Sequence, residues 1–110
     1  MLFRSYTQNL KIVSFQKWDK NSVPCSISFG ALAKDSNHRR RIVKALDRNG
    51  IETRLFSAGN LGRHPFWVER YGEFHDDVAD KIHDCGFFLP NNESLSTKDI
   101  LFICKVVNNV

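Results

Sequence analysis

The stretch "CSISFGALAKDSNHRRRIVKALDRNGIETRLF", Cys25 to Phe56, decides the fold class. Cys25, Ile27, Phe29, Ala31 and Ala33 alternate with Ser26, Ser28 and Gly30. That period of two predicts a strand with one apolar face. Asp35, Ser36 and Asn37 then offer N-cap side chains for a helix running to about Asn49. Ile42, Val43, Ala45 and Leu46 give that helix its apolar face. Gly50 stands where a C′ residue takes positive φ, and Ile51 where a contact back to the helix is expected. "IETRLF" reads as the next strand, so the stretch is a strand-helix-strand unit with short connections.

Working outward, residues 2 to 10 place Leu2, Phe3, Tyr6 and Leu10 at helical spacing, in a helix that starts in mid-turn at Met1 with no cap before it. "KIVSF" reads as a short strand, and "KWDKNSVP" as a loop. On the other side, "PFWVERYG" reads as one or two helical turns. Phe74, Val78 and Ile82 at i, i+4 and i+8, with Cys85 nearby, predict an acidic amphipathic helix ending at Gly86, its acids opposite the apolar side. "FFLP" is a strand stopped by Pro90. In the last helix Ser96 caps, Asp99 completes a capping box, and Leu95 and Ile100 occupy the staple positions. Ile100, Leu101, Ile103, Cys104, Val106 and Val107 make its wide buried face. The expected fold is α+β: a three- to four-stranded, mainly antiparallel sheet covered by helices on one face, in a single domain over residues 1–110.

Composition narrows the function. The 110 residues, 42% of them hydrophobic, suit one modest core. No run of about 18 uncharged apolar residues exists, so no membrane span is expected. Polar residues interrupt the first positions before any signal-peptide apolar segment forms. Cys25, Cys85 and Cys104 form no CxxC pair, and each sits where a core residue is expected. This usage reads as a reducing, cytoplasmic setting. The net charge is +4 but it is bipolar. Residues 38 to 54 carry six Arg and Lys against two acids, and residues 69 to 84 carry six acids against two bases. An acidic block of equal size argues against a nucleic-acid partner.

Few motifs carry chemistry. "HRRRIVKAL" puts basic residues in the first turns of a helix, against its dipole, so it reads either as a site for an anionic partner or as a solvated face. His75, Asp76, Asp80 and His83 lack a metal-ligand spacing. No serine stands in a GxSxG elbow, and no catalytic residue is assigned. "SAGNLGRHP", Ser57 to Pro65, is not a P-loop, because the GK[ST] ending is missing. It nonetheless holds useful parts. Gly59 and Gly62 allow close backbone approach, Asn60 donates and accepts, and Arg63 can grip phosphate or carboxylate. Arg54 adds a second cation on the strand feeding the loop. A plain irregular turn is the alternative.

The strings "GIETRLFSAGNLGRHPFW" and "DDVADKIHDCGFFLPNNESLSTKDILFICKVV" resemble the C-terminal part of the DegT/StrS-type pyridoxal-phosphate-dependent sugar aminotransferases. The form of "AGNL-R-P" is similar to the branch that holds nucleotide-sugar 3-dehydratases, which act on 4-keto-6-deoxy sugars in lipopolysaccharide and deoxysugar synthesis. The resemblance runs from about Arg4 to Val110 and is carried by Gly50 to Arg54, by Ala58 to Leu61 with Arg63 and Pro65, and by Gly86 to Phe88. It departs at Ser26-Ile27, where an aromatic pair is expected, and at His64, where glutamine is common. The resemblance implies the small C-terminal domain of the aspartate-aminotransferase fold. It implies Arg54, Asn60 and Arg63 as substrate-binding residues for a nucleotide sugar. No lysine lies in the Schiff-base context, and neither its histidine replacement nor the carboxylate for the pyridine nitrogen is present. The expectation is that pyridoxal phosphate belongs to the complete enzyme, that this chain alone binds no cofactor and is inactive, and that it pairs with a cofactor-domain chain or as a homodimer. A large cofactor-binding domain would then lie elsewhere, with the start at Met1 reflecting a truncation. Two other readings stay open: a small anion- or nucleic-acid-binding module using Arg39 to Arg41, Arg54 and Arg63, and an oligomerisation domain whose basic and acidic blocks meet across a dimer.

Overall fold

The computed structural model describes residues 2–110, with side chains from Arg4 onward. The expected helix start at Met1 and the side chains of Leu2 and Phe3 lie outside the described residues. In chain order the elements are α1 (Leu2–Asn9), β1 (Ser14–Phe15), β2 (Ser28–Leu32), α2 (Ser36–Arg48) and β3 (Arg54–Leu55). A 3-10 turn (Leu61–Arg63), α3 (Pro65–Tyr71), α4 (Asp77–Cys85), β4 (Gly86–Pro90) and α5 (Thr97–Asn108) complete it. The sheet runs β1-β2-β4-β3, with every neighbouring pair antiparallel. The late strand β4 thus inserts between β2 and β3, the two strands that α2 joins. The α+β class expected from the pattern is the one observed.

The sheet has one covered face. Opposed residues in an antiparallel ladder point the same way, so Phe15, Ala31 and Phe87 share a face, as do Phe29 and Leu89. All but the half-buried Phe15 are buried, together with Tyr6 and Leu10 of the α1 region, Ile42 and Leu46 of α2, and Ile100, Ile103, Cys104 and Val107 of α5. Tyr6 stacks on Phe29 with centroids 4.6 Å apart, and its hydroxyl donates to the Pro90 carbonyl. Burial pushes the Cys104 thiol up to about 11, so it behaves as a small apolar residue. Asn108 fixes α5 to the end of α1: its Nδ2 donates to the Asn9 carbonyl at 2.7 Å and its Oδ1 accepts from the Lys11 amide at 2.9 Å.

Helix ends follow the local signals. Asp35 caps α2 by accepting from the His38 amide at 2.7 Å, and Gly50 takes φ +69° past its end. The Ile51 amide returns to the Leu46 carbonyl at 2.9 Å. Ser96 and Asp99 form the complete capping box of α5.

Leu101, expected on the buried face of α5, is 45% exposed. Three further expectations are corrected. The period-2 run promised an inward Cys25 and Ile27, but Cys25 is exposed and Ile27 is 94% exposed. The ladder with β4 ends at the Ser28–Pro90 pair, so residues before it have no covering layer. Second, Phe74 and Val78 do not form the apolar side of α4, although the half-buried Ile82 does belong to it. Asp76 is an extended N-cap, which breaks the helical period between Phe74 and Val78, and both of these are exposed. Cys85 is the buried residue of that helix. Third, the acids of this segment are not simply solvated, because Asp80 and Asp84 are committed to partners described below.

Candidate functional site

The uncovered face of the sheet holds a groove. Gly30, Phe88 and Arg54 are opposed across three strands on this face, and the groove lies where β2 begins and β4 ends, lined by residues of both parities, Ser28, Arg54 and Phe88 with Ile27, Thr53 and Leu89. Gly30 and Gly86 form a flat floor for Phe56. A Cβ on Gly30 would meet Phe56 Cε2 at 2.6 Å, and one on Gly86 would meet Phe56 Cβ at 2.7 Å. Phe56 in turn stacks on Phe88, centroids 4.5 Å apart. Beside this aromatic pair opens a cavity of about 430 Å³, lined among others by Ile27, Thr53, Arg54, Phe88 and Asn91. Thr53 Oγ1 donates to the Phe88 carbonyl at 2.8 Å, fixing β3 to β4 at the groove's edge. Arg54 is 78% exposed and its one ion pair is with Glu52 at 3.1 Å. An exposed pair of this kind is weak, so the guanidinium can turn to a ligand at little cost.

The loop after β3 is built differently. Asn60 is 4% exposed and sits at its centre. Its Nδ2 donates to the Phe74 carbonyl at 3.0 Å and to Asp80 Oδ1 at 2.9 Å, while its Oδ1 accepts from the Gly62 amide at 2.9 Å. Its own amide donates to His83 Nδ1 at 3.0 Å. Arg63 donates through Nη1 to Asp84 at 3.0 Å and to Asp80 at 3.3 Å. The bond from Asn60, and then those with His75 and Arg63, hold the Asp80 carboxyl below the usual carboxylate range. Gly59 has φ +63°, and a Cβ there would lie 2.5 Å from His83 Nδ1. Only glycine meets both demands.

The structure therefore brings Asn60 and Arg63 together on Asp80, and sets Arg54 apart on the groove. The polar groups of Asn60 and Arg63 face the protein itself, on α4. The basic run at α2 also has internal business. His38 is buried, and its Nδ1 accepts from the Lys34 amide at 3.0 Å; desolvation, with Arg41 nearby, lowers its pKa. Arg39 donates to the His83 carbonyl at 2.6 Å and, at 3.4 Å, to that of Gly86. A cation at the C-terminal end of α4 is well placed for that helix's dipole. The first turns of α2 are thus partly a clasp on α4.

Sequence reasoning missed His83, Asp80 and Asp84 as partners of the loop. The signal was present in one respect: Asp80 and Asp84 are four apart, so they share a helix face and can meet one cation. Nothing local told that the cation would be Arg63. Phe88 as a wall of the groove, with Phe56 stacked on it, is not legible because both read as strand core.

The fold has known relatives. A family model described as the DegT/DnrJ/EryC1/StrS aminotransferase family matches residues 2–108. Among solved structures, the chain is similar to the E coli GDP-4-keto-6-deoxy-D-mannose-3-dehydratase with bound hydrated PLP, at 18% identity and a TM-score of 0.75. It is equally similar to a GDP-4-keto-6-deoxymannose-3-dehydratase with a trapped PLP-glutamate geminal diamine, at 18% identity and a TM-score of 0.75. Each match covers 96% of this chain and 28% of the other, so the chain spans little more than a quarter of those proteins' length. At this identity the likeness is one of fold. No curated protein matches the chain significantly. The family model covers nearly every residue, and on that ground the chain belongs to the DegT/DnrJ/EryC1/StrS aminotransferase family.

Proposed function

We propose that this chain is the C-terminal, substrate-side domain of a pyridoxal-phosphate-dependent nucleotide-sugar enzyme, either a 3-dehydratase or an aminotransferase. Its setting would be cytoplasmic deoxysugar or lipopolysaccharide synthesis. The observation that carries the reading is the family match over residues 2–108. The fold likeness to two 3-dehydratases supports the dehydratase branch.

Within the domain, Arg54 is the residue offered to an anionic part of the substrate, beside Phe88, which lines the groove with it. A guanidinium presents paired donors that match phosphate or carboxylate oxygens. Asn60 and Arg63 serve the same site by fixing the loop that follows β3, through Asp80, Asp84 and His83.

Pyridoxal phosphate supplies the electron sink in enzymes of this kind. The family holds it by a lysine amine or, in the dehydratase branch, sets a histidine in that lysine's place, and neither a lysine nor a histidine lines the groove. The groove residues do not fit the cofactor, and no step through it is assigned to them. This supports a cofactor-binding domain or partner chain as the seat of the chemistry, with the 110-residue chain inactive by itself.

The test is reconstitution with a cofactor-domain polypeptide of the family, reading nucleotide-sugar turnover. Turnover is expected for the combination and not for the chain alone. Arg54→Ala is expected to raise KM about tenfold, the weight of one charge-assisted contact. Robust turnover by the chain alone, or unchanged kinetics in Arg54→Ala, would sink the reading.

A further inference from the structure

The Asn60 amide donates to His83 Nδ1 at 3.0 Å. A ring nitrogen that accepts carries no proton, so the bond requires a neutral imidazole protonated on Nε2. The backbone is packed directly on that nitrogen, as the 2.5 Å approach of a Gly59 Cβ shows. The His64 ring stands edge-on to His83, centroids 5.9 Å apart, and His64 Nε2 bonds the Ala58 carbonyl at 2.6 Å. Ser57, with φ +48°, is the non-glycine residue with positive φ among those described. This left-handed conformation costs free energy and persists where surrounding contacts enforce it.

We infer that His83 is a proton-operated latch on the turn from Ser57 to Asn60. While the ring is neutral it holds the Asn60 amide. Protonation at Nδ1 converts the acceptor into a donor and sets two N–H groups against each other. The turn then keeps its bonds from His64 to the Ala58 carbonyl and from the Gly59 amide to the Phe56 carbonyl, but loses its tie to α4 through the Asn60 amide. The Asn60 side chain keeps its bonds to Phe74, Asp80 and Gly62, so the motion is confined to the Ser57–Asn60 backbone.

Charged and titratable groups lie on the elements packed against His83. From α2, Arg39 donates to the His83 carbonyl. From the loop comes His64, whose ring meets that of His83, while Arg63 and, from the segment before α4, His75 are bound to Asp80. On α4 itself Asp80, Lys81 and Asp84 flank the ring in sequence. Asp80 and Asp84 are engaged by Arg63, and Asp80 also by Asn60 and His75. The latch does not depend on what the loop faces, so it stands or falls apart from the proposed sugar-nucleotide role.

The experiment is nitrogen-proton NMR on the full chain between about pH 8 and 5, the range in which histidines change charge. The His83 ring is expected as the Nε2–H tautomer at the upper end. The Asn60 amide should shift with the same midpoint as the His83 ring. Its exchange protection should fall about fivefold or more as the ring protonates, the weight of one hydrogen bond. Amides of α5 should stay unmoved, which separates latch release from unfolding. His83→Asn retains an acceptor near the position of Nδ1 and removes the titration, so the Asn60 amide should stay protected throughout. An Nδ1–H tautomer in the neutral ring, a midpoint unrelated to His83, or an unaltered titration in His83→Asn would overturn the inference. If that variant does not fold, the wild-type tautomer and the pairing of midpoints still decide it.

Discussion

Phe87 and Phe88 are adjacent in β4 and live on opposite sides of the sheet. Phe87 is fully buried between Ala31 and the helical layer, while Phe88 is half-buried against Phe56 on the open face. The covered side is held by apolar packing of three helices. The open side is held by a glycine floor, one aromatic stack and the threonine bond from β3, and it keeps room for a groove. Beyond its edge the chain changes material again, from apolar contact to the hydrogen-bonded hub of Asn60, Arg63 and α4. Stability and binding capacity are thus assigned to different faces of one thin sheet. The face that could bind something is the one least needed to hold the fold.

The largest effect should come from the covered face. Phe87→Ala is expected to lower the unfolding free energy by about 3–5 kcal/mol, and Phe88→Ala by about 1–2 kcal/mol. Urea titration of both variants decides it; equal losses would break the contrast between the faces. The polar hub comes next. Asn60→Ala orphans the Gly62 amide and the Phe74 carbonyl in a buried place, with an expected loss of about 2–3 kcal/mol by the same method. A loss below that of a surface substitution would show that the loop is only lightly attached.

A smaller effect is set by pH. The pKa of His38 lies below its ordinary value of 6.5, chiefly because burial penalises the charged ring. The unfolded chain therefore takes up the proton first. Stability from this group is complete above about pH 6.5 and declines as the pH falls below it. His38→Asn, which keeps an acceptor for the Lys34 amide, should flatten thermal stability across that window; an unchanged slope would assign the dependence elsewhere. The smallest effect belongs to the groove. Arg54→Ala is expected to change stability by less than about 0.5 kcal/mol, because its pair with Glu52 is solvated. A larger loss would mean that the open face is structural after all.

How much of this was legible depends on range. The caps of α2 and α5 involve residues three apart, and they were readable as such. The strand parity of Phe29, Ala31 and Ala33 was readable too, because alternation is a local property. Ile27 shares that parity and is nonetheless exposed, since parity says which side a residue faces and not where the covering layer stops. Phe74 and Val78 misled for a related reason: spacing assumes a continuous helix, and the Asp76 cap interrupts it. In the loop, Arg54, Asn60 and Arg63 were singled out together, but their partners lie from two to more than twenty residues away.

The α+β class, the ends of α2 and α5, and the split of polar from apolar positions along β2 are local properties, because they follow from contacts within a few residues. Tertiary structure alone decided that β4 inserts between β2 and β3. It decided that Arg63 closes on Asp80 and Asp84, that Asn60 hangs from His83, and that Arg54 is left at a groove. Those outcomes rest on which face each element presents to a distant one. That choice is made by burying the most apolar area while leaving no buried polar group unpaired, a condition that only the assembled chain can meet.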